Sequence, residues 1–305
     1  MRYGYYPGCS LHSTAEEFDR SLKAVCNKLD IELVELGKWV CCGASAAHNL
    51  SRLMAIALPM ANLALLPELE LEEVVIPCAA CFSRFKIAQH SIKTDKKIRR
   101  EVVEIIHKDC NDEAKVIHPL TIFDQEPLIS RIPTLVERSL SGLKVACYYG
   151  CLLTRPPKIT GFDVAEYPMI MDNVLKATGI TTVDWPYKTK CCGASLALSK
   201  PDIVVNLSHN VIEEAKLAGA DAIAVACPMC HANLDTRQDD MEKEFGTHPQ
   251  MPILYFTQLL GYSFGISPAE LYIHKHLTDA EMILEKVGQP CHGDPQGVPP
   301  VSASR

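Results

Sequence analysis

The chain reads as an α/β fold in two pseudo-symmetric halves, each with a small parallel sheet and its own copy of a duplicated Cys-Cys-Gly motif. Three observations predict this. The cysteines recur in order: Cys9, then Cys41-Cys42 after 31 residues, then Cys78 after 35 more, then Cys81. The second set reads Cys151, Cys191-Cys192 after 39, Cys227 after 34, then Cys230, so ten of the 14 cysteines fall into one repeated pattern. The flanks repeat as well: Tyr6-Pro7-Gly8 answers Tyr148-Tyr149-Gly150, and Cys-Cys-Gly-Ala-Ser stands at both centres. Finally, short apolar runs alternate with segments of helical period, the mark of βαβ units and a parallel sheet.

In chain order, Arg2 to Tyr6 predicts a strand that ends just before Cys9. Thr14 to Leu29 places Phe18, Leu22, Val25, Cys26 and Leu29 at helical spacing, with Ser13 or Thr14 as the expected cap. Ile31 to Leu36 alternates as a strand does, and an apolar helix is expected from Leu50 to Leu66. Val74 to Ile76 reads as a short buried strand, Lys93 to Arg100 as a solvated helix face, and Val116-Ile117 as another strand. The second half repeats the order. Leu143 to Ala146 is a strand, Met169 to Thr178 a helix, and Thr181 to Trp185 a strand. A helix from Ile203 to Ala218 stops at Gly219, and the strands Ala222 to Ala226 and Ile253 to Tyr255 follow. The cysteines then fall at the C-terminal ends of strands, where open α/β sheets carry their sites. The expected division is 1–135 for the first half, 136–265 for the second, 266–287 for appended C-terminal helices and 288–305 for a disordered tail.

Composition bounds the function. At 305 residues and 48% hydrophobic, the chain can bury two cores of ordinary domain size. A formal charge of −7 argues against nucleic acid. The longest apolar run, Met54 to Leu66, is interrupted by Pro59 and is too short to span a bilayer, so no membrane insertion is expected. The N-terminus lacks the apolar segment and cleavage site of a secretion signal. A cytoplasmic location follows as an expectation, and with it metal or redox chemistry rather than disulfides.

Thiolates bind iron or zinc, and four usually suffice for a cubane iron–sulfur cluster or a structural zinc. Each set here offers five. Adjacent cysteines diverge, so a vicinal pair serves two metal atoms, or two sides of a large cluster, more readily than one tetrahedral ion. The following glycine allows positive φ and close approach to an inorganic sulfide. A Cys-x-x-Cys at a helix start offers free N–H groups toward a thiolate-bound cluster. Iron–sulfur is the leading reading for both sets; zinc in one set and cubane clusters remain the alternatives. Among the other thiols, Cys26 fits an apolar core position, Cys110 an exposed turn, and Cys147 a spare buried thiol; Cys291-His292 is expected to bind nothing.

These spacings resemble the CCG-domain pattern, and two copies in a chain of this size resemble the B subunit of heterodisulfide reductase. The resemblance covers about residues 1 to 260 and departs in one place, the 34 residues before the second Cys-x-x-Cys, with all five cysteines kept. It implies a non-cubane [4Fe-4S] cluster on Cys9, Cys41, Cys42, Cys78 and Cys81, and another on Cys151, Cys191, Cys192, Cys227 and Cys230. It also implies two partners, a ferredoxin-like iron–sulfur subunit (the C type of that family) and a flavin-containing subunit (its A type). The implied substrate is a disulfide such as the coenzyme M–coenzyme B disulfide. The same pattern serves lactate and glycolate oxidation, anaerobic glycerol-3-phosphate dehydrogenase, a succinate:quinone reductase, and a heterodisulfide-reductase-like complex that handles sulfane sulfur.

The leading expectation is therefore a disulfide-cleaving oxidoreductase that works as one member of a multi-subunit complex. Its alternatives are an electron-transfer module, a protein that handles sulfane sulfur and a structural zinc scaffold. His231, directly after Cys230, is the expected proton donor by position. His12, His48, Arg155 and His209 also lie near the cysteine segments. The segment Phe264 to Val287, outside the repeat, is expected to dock a partner.

Overall fold

The computed structural model describes residues 1–44, 47–287 and 289–290. The first half is a four-stranded parallel sheet of β1 (Arg2–Tyr5), β2 (Glu32–Glu35), β3 (Glu73–Val75) and β4 (Lys115–Ile117), in the order β2-β1-β3-β4. β5 (Arg138–Ser139) lies in the connection between the halves. The second sheet is β6 (Lys144–Tyr148), β7 (Thr181–Thr182), β8 (Ala222–Val225) and β9 (Ile253–Tyr255), in the order β7-β6-β8-β9, again all parallel. β10 (Gln289–Pro290) pairs antiparallel with β5. The two sheets thus have the same strand order and direction.

That order fixes where a site can form. In each sheet the chain moves one way from the first strand to the second and the other way to the third. Crossovers therefore leave on opposite faces beside the first and third strands, and a crevice opens at their C-terminal ends. Cys9 and Cys78 follow β1 and β3, and Cys151 and Cys227 follow β6 and β8. The strands beside the crevice are apolar because both faces are covered: every residue of β8 is buried.

The halves pack through a stack of rings. Phe18, on helix Glu16–Lys28, lies flat on Tyr255 at 4.3 Å, and Tyr255 lies on His231 at 4.5 Å. Beside the stack, Ser21 Oγ and Thr257 Oγ1 share a hydrogen bond of 2.6 Å across the boundary.

Several elements differ from expectation for local reasons. Helix Glu16–Lys28 has Ala15 at its N-cap; Ser13 instead donates to Cys9 O at 2.8 Å and closes the turn after the cysteine. The apolar helix is Arg52–Leu63, started by Ser51, whose side chain accepts from Met54 N. The window Arg52–Leu69 is long and apolar enough for a membrane by length and composition. Here it is divided into that helix and a 3-10 turn, Leu66–Leu69, and packs on helices Ala79–Thr94 and Lys96–Ile106. The charged stretch is split by Asp95, which accepts from Lys97 N and Ile98 N and starts the second helix. β7 has only two residues.

The C-terminal expectation needs correction. Residues 266–276 form turns and one 3-10 segment, Ile273–Lys275, rather than a helix; Glu281–Val287 is helical. Leu271, Ile273, Ala280 and Leu284 are buried, and Asp235 accepts the amides of Leu277 and Thr278 at 2.8 and 3.1 Å. Leu271, Ile273, Ala280 and Leu284, in the segment expected to dock a partner, therefore serve the chain's own second half, whereas Leu277 is exposed. The tail expectation lies outside the described residues, apart from Gln289–Pro290, which pair in β10.

The second half also buries an ion pair. Lys188 Nζ reaches Asp172 Oδ1 at 2.8 Å, and the Tyr149 hydroxyl donates to Oδ2 at 2.7 Å. Both charged side chains are almost fully enclosed. Removing one partner strands the other, so Lys188→Met should cost about 3–5 kcal/mol of unfolding free energy. Denaturant titration checks this, and a loss below about 1 kcal/mol would contradict the pairing as described.

Candidate metal centres

Each Cys-Cys-Gly turn is tied to its sheet by the same device. The Tyr6 hydroxyl, three residues before Cys9, donates to Val40 O at 2.9 Å, just ahead of Cys41. The Tyr148 hydroxyl, three before Cys151, donates to Lys190 O at 2.7 Å, just ahead of Cys191. The repeated tyrosine was legible in the flanks, but its role was not. Gly43 and Gly193 then take φ of +75° and +79°, which turns their N–H groups onto the Cys41 and Cys191 sulfurs at 3.4 and 3.3 Å.

The remaining thiols converge on these turns. Cys78 and Cys227 are the N-caps of helices Ala79–Thr94 and Pro228–Thr236, with Cys81 and Cys230 in the first turn. The Cys42 and Cys81 sulfurs are 3.1 Å apart, Cys192 and Cys230 3.7 Å, and Cys151 and Cys191 3.9 Å. Cys9 and Cys41 are exposed, whereas Cys42, Cys78 and Cys81 are buried. At Gly150 an added Cβ would sit 2.9 Å from the Cys230 sulfur, and at Gly8 3.3 Å from that of Cys81. Both glycines have positive φ, so backbone and thiols close around one space in each half.

Crowding sets the thiols against one another. Hydrogen bonds from Cys41 and Cys81, with the Ala44 amide and the Arg84 charge, hold Cys42 down to about 3. Cys151 and the Gly193 amide hold Cys191 down to about 6. Cys192 is lowered chiefly by Cys230, and Cys227 by Cys230 and Cys78. Each set is thus poised to carry thiolate, the form that binds metal.

The two sets meet. Cys78 and Cys227 are mutual neighbours across the boundary, each shifting the other's titration. His118, fully buried, spans the residues that precede them: its Nε2 lies 2.9 Å from Pro77 O and 3.4 Å from Ala226 O. Its Nδ1 accepts from Leu120 N, which places the proton on Nε2 as donor to those carbonyls. Burial lowers its pKa to about 4, so the ring stays neutral. Composition gave no signal for this histidine, which sits at a strand end far in sequence from the ten repeated cysteines.

A cavity of about 650 Å³ opens over this junction. Both halves line it: Ala79, Ala80, Arg84 and His48 from the first, Cys151, Cys191, Leu198, Cys227 and Met229 from the second. Its walls are mostly apolar, and Arg84 is its one lining side chain of fixed charge among the described residues.

The candidate histidines separate on this geometry. His48 lines the cavity, and its Nδ1 is buried with no partner among the described residues. His231 does not line it. Its Nε2 lies 3.1 Å from Ile253 O and 2.8 Å from His276 Nδ1, and burial lowers its pKa to about 4. Turned into the core and bound to the C-terminal segment, His231 is placed to tether rather than to deliver a proton to the cavity. Asp235 and His276 lie close enough to His231 to suggest a metal, but their hydrogen bonds to backbone and to Gln258 already engage them. His12 pairs with Glu35 at 3.1 Å, His209 stacks on Phe245 at 3.9 Å, and Arg155 holds Thr189 O and Glu166.

The spare thiols are structural. Cys26 and Cys147 are buried and pushed far up by burial, with Asp172 adding to the shift at Cys147. Cys110, expected to be exposed, is instead packed into the core cluster. Cys291-His292 lies outside the described residues.

The donor set fits an iron–sulfur group. Five sulfurs per half, four of them gathered at a turn and a helix start, leave room for an inorganic core against a Cβ-free backbone. Helix N–H groups face the thiolates, as the amides of Met229 and Cys230 do at Cys227.

Comparison with known proteins agrees. The cysteine-rich domain model CCG matches residues 3–86 and 145–235. The chain is 28% identical to the 8-methylmenaquinol:fumarate reductase membrane anchor subunit of Wolinella succinogenes, over 91% of this chain and 97% of that protein. It is 26% identical to the B subunit of the ferredoxin:CoB-CoM heterodisulfide reductase of Methanosarcina mazei, over 92% and 95%. A crystal structure of a hypothetical protein from Helicobacter pylori shares the fold, with a TM-score of 0.74 at 10% identity, covering 92% of this chain and 52% of that one. The chain belongs to the cysteine-rich CCG-domain family.

Proposed function

We propose that this chain is the catalytic subunit of a heterodisulfide-reductase-type complex and cleaves a disulfide held between two non-cubane [4Fe-4S] clusters. The observation that carries the reading is the cavity over the junction of the halves, lined by Cys151, Cys191, Cys192, Cys227 and Cys230 of the second set and by Ala79 and Ala80, between Cys78 and Cys81, of the first half. Cys9, Cys41, Cys42, Cys78 and Cys81 would hold one cluster, and Cys151, Cys191, Cys192, Cys227 and Cys230 the other. When bound, the clusters supply single electrons and iron open to a substrate sulfur. The chain does the rest. Its apolar walls exclude water from the cleaved bond. His118 keeps the two Cys-x-x-Cys turns at one spacing, so that both sulfurs of a disulfide are within reach of a centre. His48 is the proton donor at the cavity. The disulfide takes up two electrons and two protons and leaves as two thiols.

Electrons come from partners. Two of them, one ferredoxin-like with its own iron–sulfur centres and one containing flavin, suit a cytoplasmic complex of this kind. One observation favours a second reading, an electron-transfer module on a quinol pathway: the Wolinella relative, named for 8-methylmenaquinol and fumarate, is matched over nearly its full length. Disulfide reduction by the purified complex, with reduced ferredoxin or a viologen as donor, separates the two readings.

Anaerobic metal analysis should find about eight iron atoms per chain. Cys42→Ala and Cys192→Ala should each bring that to about half and abolish disulfide reduction. Zinc in place of iron, or loss of all iron in either variant, would refute two independent centres. His48→Gln should keep the iron and slow disulfide reduction about 10²-fold in steady-state assays. An unchanged rate would remove His48 from the chemistry.

A further inference from the structure

A second pocket, of about 330 Å³, opens at the edge of the first sheet and shares no lining residue with the cavity over the junction. Both halves wall it. Phe82 and Lys86 come from helix Ala79–Thr94, Val116 from β4 and Thr121 from the short helix Pro119–Phe123. Thr160 and Phe162 close it from the second half.

The cysteine chemistry makes no use of its polar groups. Lys86 is half-buried, has neither a hydrogen bond nor an ion pair among the described residues, and has its pKa lowered by burial. The other charges in the lining, Glu73 and Lys115, cancel in an ion pair of 2.7 Å, so Lys86 leaves the pocket with one uncompensated positive charge. The sheet edge adds backbone groups. β4 bonds to β3 through Lys115 N, which donates to Glu72 O at 2.8 Å, and Ile117 O, which accepts from Ile76 N at 2.9 Å. Strand alternation turns the N–H and C=O of Val116 the other way, where the sheet has no further strand. The rest of the wall is apolar, with the rings of Phe82 and Phe162 beside Ile122. Both rings stand edge-on to His118, at 6.1 and 5.7 Å between centroids. The pocket is therefore one ring removed from the imidazole that spaces the two Cys-x-x-Cys turns.

An ammonium held partly out of water against apolar walls is unfavourable without an anion. A cation, a hydroxyl and a free strand edge on one side, with aromatic rings on the other, suit an acid that carries a flat apolar body. A bare inorganic anion would satisfy Lys86 and leave Phe82, Ile122 and Phe162 unused. We propose that this pocket is a ligand site separate from the junction cavity and takes a small aromatic carboxylate, its acid on Lys86 and its ring against Phe82 and Phe162. Its occupant touches both halves. The site stands whether or not the junction cavity takes a disulfide.

Benzoate and its neutral isostere benzamide test this on the full-length, iron-loaded protein, with binding followed by anaerobic calorimetry. Wild type should bind one benzoate per chain and prefer it to benzamide by about tenfold or more, the scale of a charge-assisted hydrogen bond. Lys86→Gln should erase that preference while leaving iron content and benzamide binding unchanged. Lys86→Arg, which keeps the charge, should keep the preference. Phe162→Ala should weaken both probes, and Arg84→Gln, which alters only the other cavity, should change neither. Absence of benzoate binding by wild type, or equal affinity for the two probes, overturns the proposal. So does a preference that survives in Lys86→Gln, or one that is lost in Arg84→Gln, the result expected if the acid sits over the junction instead.

Discussion

The structure depends on the meeting of two Cys-x-x-Cys turns at the boundary between its halves. Each half alone is a small parallel sheet with a thiol-lined crevice at the end of its first and third strands. What joins the crevices into one site is the contact of Cys78 with Cys227 and the imidazole of His118 bonded to Pro77 O and Ala226 O. A neutral, fully buried ring with both nitrogens engaged has one orientation available. The spacing of the two turns is therefore set by backbone carbonyls at a fixed hydrogen-bond length, which is stiffer than side-chain packing alone would give.

The rest follows from that junction. The Phe18–Tyr255–His231 stack and the Ser21–Thr257 bond keep the halves from sliding. The C-terminal segment is drawn back by His276 and by the amides of Leu277 and Thr278 on Asp235. His231 belongs to this bracing. It follows Cys230 directly in sequence, yet its ring is turned away from the cavity lining to Ile253 O.

Much of this was legible in the sequence. Duplication of the cysteine pattern gave two matched halves, and apolar runs such as Ala222 to Val225 gave the parallel strands, because a strand covered on both faces has no polar positions to confuse the reading. Spacing alone singled out the ten cysteines that stand at the strand ends, turns and helix starts of the two halves. What stayed hidden was anything that depends on how the halves face each other. His118 carries no local signal, being a lone histidine before a proline. Proximity in sequence favoured His231, whereas the fold brings His48 to the cavity. The helix expected at the start of 266–287 did not form, because Leu271 and Ile273 are buried by turns rather than along one helix face.

The central claim is that the two cysteine sets face one another closely enough for one disulfide to reach both. An anaerobic crystal structure of the iron-loaded protein soaked with a disulfide tests it most directly, with anomalous scattering to place iron and sulfur. The account predicts two iron centres across one cavity, with one substrate sulfur at each. Iron centres that open to separate faces, or both substrate sulfurs at a single centre, would contradict it.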